Sequence, residues 1–372
     1  MLPTEPSDSA IQHLTNDLNK KIIAAQENKA PAWLSKDWMF FNSCHNTSYV
    51  VNYDDSCVSS HRKCLRHDIS EDPRERLKEI LTSVNSFVHN KYFKIMERMR
   101  QQVNGGKSSE IIIASALSSN HFKEANAMFK NFHETAFRVL TNFTLVVYDL
   151  GLTEIQRNQI LKHGRCVFVK FPFDELPDIF KNLRCFSWKV LIIAAHYEQA
   201  DVLIWGDSSV RFINTTALLE LIHTSKLRGI QQRNLEEMAR IPSHTMPFVF
   251  ERFGYSPCAF LSFRMCEGNF GVYHREALIR RAVIQPWLAC AVSEDCMCPS
   301  NWQSIQKCWR AEPRPNHIGL CHRFDQSTIS IILAHLFREH YHHFTVDTRN
   351  VQVTYRDEAS DYFDELDKKL AG

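Results

Sequence analysis

Four carboxylates stand where this chain could do chemistry. Asp207 follows the apolar run Val202–Trp205 after one glycine, and Asp149 directly follows the run Leu145–Tyr148. Glu267 precedes Gly268 and the run Phe270–Tyr273, and Asp325 opens a long stretch of apolar residues at helical spacing. An acid at the carboxyl end of a strand can accept hydrogen bonds from ribose hydroxyls. Paired with a second acid, it can hold a divalent cation against a diphosphate, where the ion acts as a Lewis acid on the leaving phosphate. An acid at a helix start can serve as a general base or position substrate hydroxyls. Three of them also have a plainer role. Asp207 can cap a turn, Asp325 can be an N-cap worth ~1 kcal/mol, and Glu267 can be a surface acid beside a glycine turn.

Other constellations are weaker. Gly106-Lys107-Ser108 suggests a phosphate loop, but position 101 is Gln where that loop needs Gly, and the segment precedes a strand instead of leading from strand to helix. Gly206-Asp207-Ser208-Ser209-Val210 lacks the closing glycine of a nucleophile elbow. Cys290, Cys296, Cys298, Cys308 and Cys321 cluster near His317 and His322, without a Cys-x-x-Cys pair. Their irregular spacing favours disulfides around Trp287 and Trp302 over structural zinc. His335, His340, His342 and His343 gather near the end of the last long helix, where cationic imidazole would suit the helix dipole.

These residues need elements to position them. From Glu110 onward, short apolar runs alternate with helical periodicity, as in an α/β sheet. Ile111–Ala114, Leu145–Tyr148, Cys166–Val169 and Val202–Trp205 read as strands, followed by Phe270–Tyr273 and a terminal strand over Val351–Tyr355. Ligands of such sheets bind outside the carboxyl ends of the strands. Small residues from Ala114 through Ser119, Ser115 among them, would let a nucleotide approach the first strand. Thr153 and Gln156 form a capping box. A helix opens near Asn120, another buries Trp188, Leu191, Ile192 and Ala195, and Pro286 should end or kink the helix containing Leu278 and Val283. Upstream, Asp72, Pro73 and Glu75 start an amphipathic helix running from Leu77 to Met99. It is expected to pack on its own domain, with a dimer seam as the alternative. The division is thus 1–104, an irregular extension and amphipathic helix; 110–355, the α/β domain; and 356–372, a tail.

Composition fits a globular chain. Of 372 residues, 44% are hydrophobic and 23% charged, with 25 Phe and 7 Trp to fill a large core. A net charge of +2, with basic residues dispersed among acids, leaves no footprint for nucleic acid. No apolar run approaches the ~20 residues needed to span a bilayer, and the first residues do not read as a signal peptide. Twelve cysteines and acceptor sequons at Asn46, Asn142 and Asn214 point the other way. Lumenal disulfides and unpaired cytosolic thiols both stay open. A secretory or Golgi address would need an anchor missing from this chain, and without one the address is cytoplasmic.

The ordered segments IIIASALSSNHF, LVVYDLGLT, CVFVKFPF, FSWKVLIIAAHYEQADVLIWGDSSVRF, EGNFGVYHR and HRFDQSTISIIL resemble an uncharacterised animal family assigned to the glycosyltransferase-A superfamily. The resemblance covers roughly residues 70–355. It implies a mixed, mostly parallel twisted sheet flanked by helices, Rossmann-like, behind a helical or irregular N-terminal extension. It also implies transfer of a sugar from a nucleotide-sugar donor to a glycan or protein acceptor. Ala114, Ser115, Asp149, Asp207 and Ser209 would line the donor side, and Glu267 or Asp325 would handle the acceptor. The superfamily's Asp-x-Asp motif reads Asp207-Ser208-Ser209 here, so Ser209 replaces the metal-binding acid. A divalent cation (Mn or Mg) therefore keeps only Asp207, and a catalytically inactive binding or scaffold protein is the alternative.

Overall fold

The computed structural model describes residues 6–27, 68–84, 90–234, 239–293, 295–304, 308, 318, 319, 321–356 and 358–371. Cys44, Cys57, Cys64, Asn46 and His317 lie outside them, as does the 85–89 part of the long amphipathic helix.

Among the described residues, nine strands form two sheets: β1 (Ser109–Leu117), β2 (Phe143–Asp149), β3 (Val167–Lys170), β4 (Ala200–Gly206), β5 (Val210–Phe212), β6 (Ile230–Asn234), β7 (Cys266–His274), β8 (Thr345–Val346) and β9 (Gln352–Thr354). The large sheet has the order β3-β2-β1-β4-β7-β6-β8, and β5 with β9 makes a separate ribbon. Strands β3, β2, β1 and β4 run parallel, β7 runs antiparallel to both β4 and β6, and β8 is parallel to β6. This is the mixed, mostly parallel sheet expected. After β1 the chain builds outward through β2 and β3, then returns to the other side of β1 as β4. The crevice at that reversal is where open α/β sheets take ligands.

The helices are α1 (Asp8–Glu27), α2 (Pro73–Val84), α3 (Asn90–Gln101), α4 (Phe122–Glu134), α5 (Ala136–Val139), α6 (Glu154–His163), α7 (Asp178–Lys181), α8 (Ser187–Tyr197), α9 (Thr215–Arg228), α10 (Pro247–Arg252), α11 (Ala277–Ile279), α12 (Gln285–Val292), α13 (Asp325–Phe337) and α14 (Tyr362–Ala371). They cover both faces of the sheet, so successive strand residues alternate between two cores. Ile112, Ala114, Leu203 and Trp205 join one core, while Ile111, Ile113, Val202 and Ile204 join the other. The first core also holds Leu14, Leu77, Ile80 and Met96, so α1–α3 are built into the domain and are not a separate extension. The stretch 356–372, read as a tail, carries α14, whose Phe363 is fully buried in the second core.

Local signals account for several boundaries. Asp72 Oδ1 accepts from Arg74 N at 2.9 Å at the start of α2, and the Thr153–Gln156 capping box opens α6. Pro286 does not end its helix. A π-helical turn over Arg280–Ile284 precedes it and absorbs the proline's missing N–H and bulk. The first strand extends to Leu117, beyond the expected Ala114, because Ser115 and Leu117 continue the alternation into the second face.

Candidate active site

Three segments far apart in sequence meet at the carboxyl rim of β4. Because β7 runs antiparallel to β4 with Gly206 opposite Phe270, the start of β7 lies beside the end of β4. Asp207 N donates to Asn269 O at 2.8 Å, which ties the two segments together. Helix α8 leads into β4 and therefore begins at this rim, and α13 begins there too. Both helices start after a phenylalanine in an unusual backbone conformation, Phe186 at φ 57° and Phe324 at φ 47°. A non-glycine residue at such a φ is costly and persists only where its surroundings impose it.

Lys189, on the first turn of α8, ties the acids together. Its Nζ lies 3.1 Å from Asp207 Oδ1 and 3.1 Å from Asp325 Oδ2, and it donates to Gly268 O at 3.0 Å. The contact to Asp325 is at ion-pair distance without hydrogen-bond alignment. Trp205 Nε1 donates to Asp207 Oδ1 at 2.8 Å. Asp207 keeps 27% of its side chain exposed, whereas Lys189 and Asp325 keep 3% each. Burial alone would lower the lysine pKa. Asp207 and Asp325 outweigh that and hold the ammonium above its ordinary value. Burial pushes Asp325 above the usual carboxylate range, Lys189 opposes the shift, and Asp207 adds to it.

Gly268 makes this approach possible. A Cβ there would lie 2.4 Å from Asp325 Oδ2 and 3.0 Å from Gln326 Cγ. Neighbours on β7 point to opposite faces, and Glu267 on one side of Gly268 pairs with Arg233 (Nε to Oε2, 3.3 Å). Glu267 therefore does not join Asp207 and Asp325.

The remaining expected site residues are placed differently. Asp149 is spent on its own turn: Oδ1 accepts from Gly151 N and Leu152 N, both at 2.8 Å, and Oδ2 pairs with Arg157 Nε at 2.5 Å. Ala114 and Ser115 sit inside β1 with buried side chains, and Ser115 Oγ donates to Met128 Sδ at 3.6 Å. Ser209 is buried beside Asp207, and its carbonyl accepts from Tyr355 N at 2.9 Å. Lys189 is the residue that sequence reading missed. The signal was one charged residue inside the apolar stretch Trp188–Ala195, since a lysine is almost never fully buried unless paired.

The oxygens that a divalent cation would need, from Asp207, Asp325 and Gly268, already face one ammonium, and Ser209 adds no charge. His244, Cys308 and Cys321 lie close together, but the two cysteines form a disulfide. Cys185–Cys298 and Cys290–Cys296 are also disulfides, and Cys258 is disulfide-bonded too. The histidines after α13 are shifted away from the cationic form expected of them. Burial lowers His340 and His342 and takes His343 to about 4.

Residues 76–194 match the family described as "Protein of unknown function (DUF1647)", a span that includes Lys189 and stops short of Asp207 and Asp325. No curated protein matches the chain in sequence. Among solved structures, the chain is similar to the apo bifunctional glycosyltransferase WbbM at 11% identity and TM-score 0.32, over 49% of this chain and 35% of that one. It thus spans about a third of WbbM's length. It is similar to the galactosyltransferase LgtC, solved with donor and acceptor sugar analogs, at 14% identity and TM-score 0.34, over 61% and 70%. It is also similar to the mannosyltransferase Ktr4p from S. cerevisiae at 11% identity and TM-score 0.30, over 58% and 76%. Scores this low carry no weight for chemistry, which rests on the residues of this chain.

Proposed function

We propose that this protein binds a nucleotide-sugar donor across the carboxyl ends of β1 and β4 and transfers the sugar to a hydroxyl of a glycan or protein acceptor. The observation that supports it is the position of Asp207, a partly open carboxylate at the reversal of strand order, held from behind by Lys189 and Trp205. A carboxylate there accepts from ribose hydroxyls, as in other open α/β sheets. The first turns of α8 and α13 favour negative charge at the same rim. In the transfer, the bond from the anomeric carbon to the diphosphate oxygen breaks and the acceptor oxygen bonds to that carbon. A carboxylate takes the acceptor's proton. Asp325 is assigned that role over Glu267, because it sits beside Asp207 and has a raised proton affinity. The disulfides Cys185–Cys298, Cys290–Cys296 and Cys308–Cys321 support an oxidising compartment, the lumen of the secretory pathway.

A second reading, a binding module without turnover, has its own support. Asp325 is buried in an ion pair, and Glu267 is held by Arg233. Calorimetric titration with several nucleoside diphosphates, followed by a screen of nucleotide sugars for hydrolysis or transfer, separates the two. Turnover in wild type that is lost in Asp207→Ala supports the transferase. Binding without turnover supports the module, and no binding at millimolar ligand defeats both.

A further inference from the structure

A lysine buried to 3% exposure on a helix made mostly of apolar residues needs an explanation. Desolvating an ammonium costs several kcal/mol unless anions and dipoles replace its water. Here they do. Two carboxylate oxygens at 3.1 Å and one carbonyl at 3.0 Å face Nζ from β4, α13 and β7. Aromatic rings close the remaining sides, with centroids at 4.9 Å (Phe186), 5.7 Å (Trp205) and 5.9 Å (Trp188). An ammonium over such π faces is attracted by the ring quadrupole. Two anions, a carbonyl and three rings make a seat built for one positive charge.

Hard divalent cations use the same donors, carboxylate and carbonyl oxygens, at ~2.0–2.6 Å. We propose that Lys189 is the resident cation of this site. Its ammonium stands where a divalent ion would stand, excludes that ion, and holds Asp207 toward the crevice. Nucleoside diphosphate then binds without added metal, a consequence that rests on the donor reading above. Lys189 is a positioning residue, acting through Asp207 and Asp325.

Manganese itself is the probe, followed by electron paramagnetic resonance on the full chain. Wild type is expected to take up no manganese at millimolar ion. Lys189→Ala, which frees both carboxylates and the Gly268 carbonyl, is expected to gain one site, and Lys189→Ala with Asp207→Asn to lose it. Uptake by wild type that disappears in Asp207→Asn overturns the proposal. So does a folded Lys189→Ala protein, verified by circular dichroism, that binds none. If Lys189→Ala does not fold, the wild-type and Asp207→Asn measurements decide alone. A parallel titration of wild type with a nucleoside diphosphate, in EDTA and in manganese, is expected to give equal affinities. A tenfold or greater loss in EDTA counts against the metal-free site, whereas no nucleotide binding in either buffer sinks the donor reading and leaves the manganese result to judge Lys189.

Discussion

Asp149 and Asp207 end parallel strands on either side of β1, and the chain uses them in opposite ways. Asp149 turns inward, with 3% of its side chain exposed, its oxygens taken by the backbone amides of Gly151 and Leu152 and by Arg157. Asp207 is pulled from behind by a buried lysine and an indole and leaves 27% of its side chain open. A strand-end aspartate is thus not a site by position alone. What separates the two is the partner: Arg157 is 41% exposed and bonds to an acid that backbone amides already satisfy, whereas Lys189 is buried and joins acids from two other segments.

Removing each countercharge is the harshest way to break that contrast. Lys189→Met leaves Asp325 buried without its countercharge and should cost ~3–5 kcal/mol. Arg157→Met should cost under ~1 kcal/mol, since an exposed partner is screened by solvent. Equal losses in urea denaturation would erase the distinction. Alkaline pH sharpens it. The ammonium of Lys189 is held above the ordinary lysine value, so its stabilisation is complete below about pH 10.4 and is lost as pH rises through the folded value. The stability gap between wild type and Lys189→Met should therefore stay level from neutral pH and close only beyond that point. A gap closing below pH 9 would mean that the lysine is neutral in the folded protein.

A smaller effect is expected at Gly268→Ala, where the new methyl meets the Asp325 carboxylate. The crowding should cost ~1–3 kcal/mol in thermal or urea melts and weaken nucleotide binding, with no such coupling for a change at Asp149. Asp149→Asn should cost ~1–2 kcal/mol of stability and leave nucleotide affinity unchanged, whereas Asp207→Asn should lower that affinity. Reversal of these two affinity results would exchange the roles of the acids. Thr153→Ala, which removes the cap of the helix after Asp149, should cost ~1 kcal/mol in the same melts.

Much of the architecture was legible because strands covered on both faces are continuous apolar runs. β1, β2, β3, β4 and β7 were visible for that reason, and the Thr153 capping box marked α6. β6 was not visible, since Gln231, Gln232 and Arg233 interrupt any apolar run there. In the fold Gln232 is wholly buried, donating to Phe270 O at 3.1 Å and accepting from Tyr273 OH at 2.9 Å. Polar side chains that satisfy one another inside a sheet leave no hydrophobic period to read. At the site, Asp207 and Asp325 could be picked out singly, each by its place at an element boundary. Their meeting could not, because it depends on Lys189, on the antiparallel return of β7 and on the missing side chain at Gly268, contacts that carry no sequence spacing. Asp149 and Asp207 look alike in sequence for the same reason: their difference lies in partners that the chain supplies from elsewhere.

The docking of α13 beside β4 has a consequence for the newborn chain. Lys189 and Asp207 leave the ribosome first, while Asp325 follows only after roughly 120 further residues, on the order of ten seconds later at ~5–20 residues per second. Until then the ammonium has one of its two acids and the crevice lacks a wall. Polypeptides arrested before that helix would hold most of the sheet yet have no assembled pocket, so ligand capture should switch on abruptly once Asp325 and α13 have emerged.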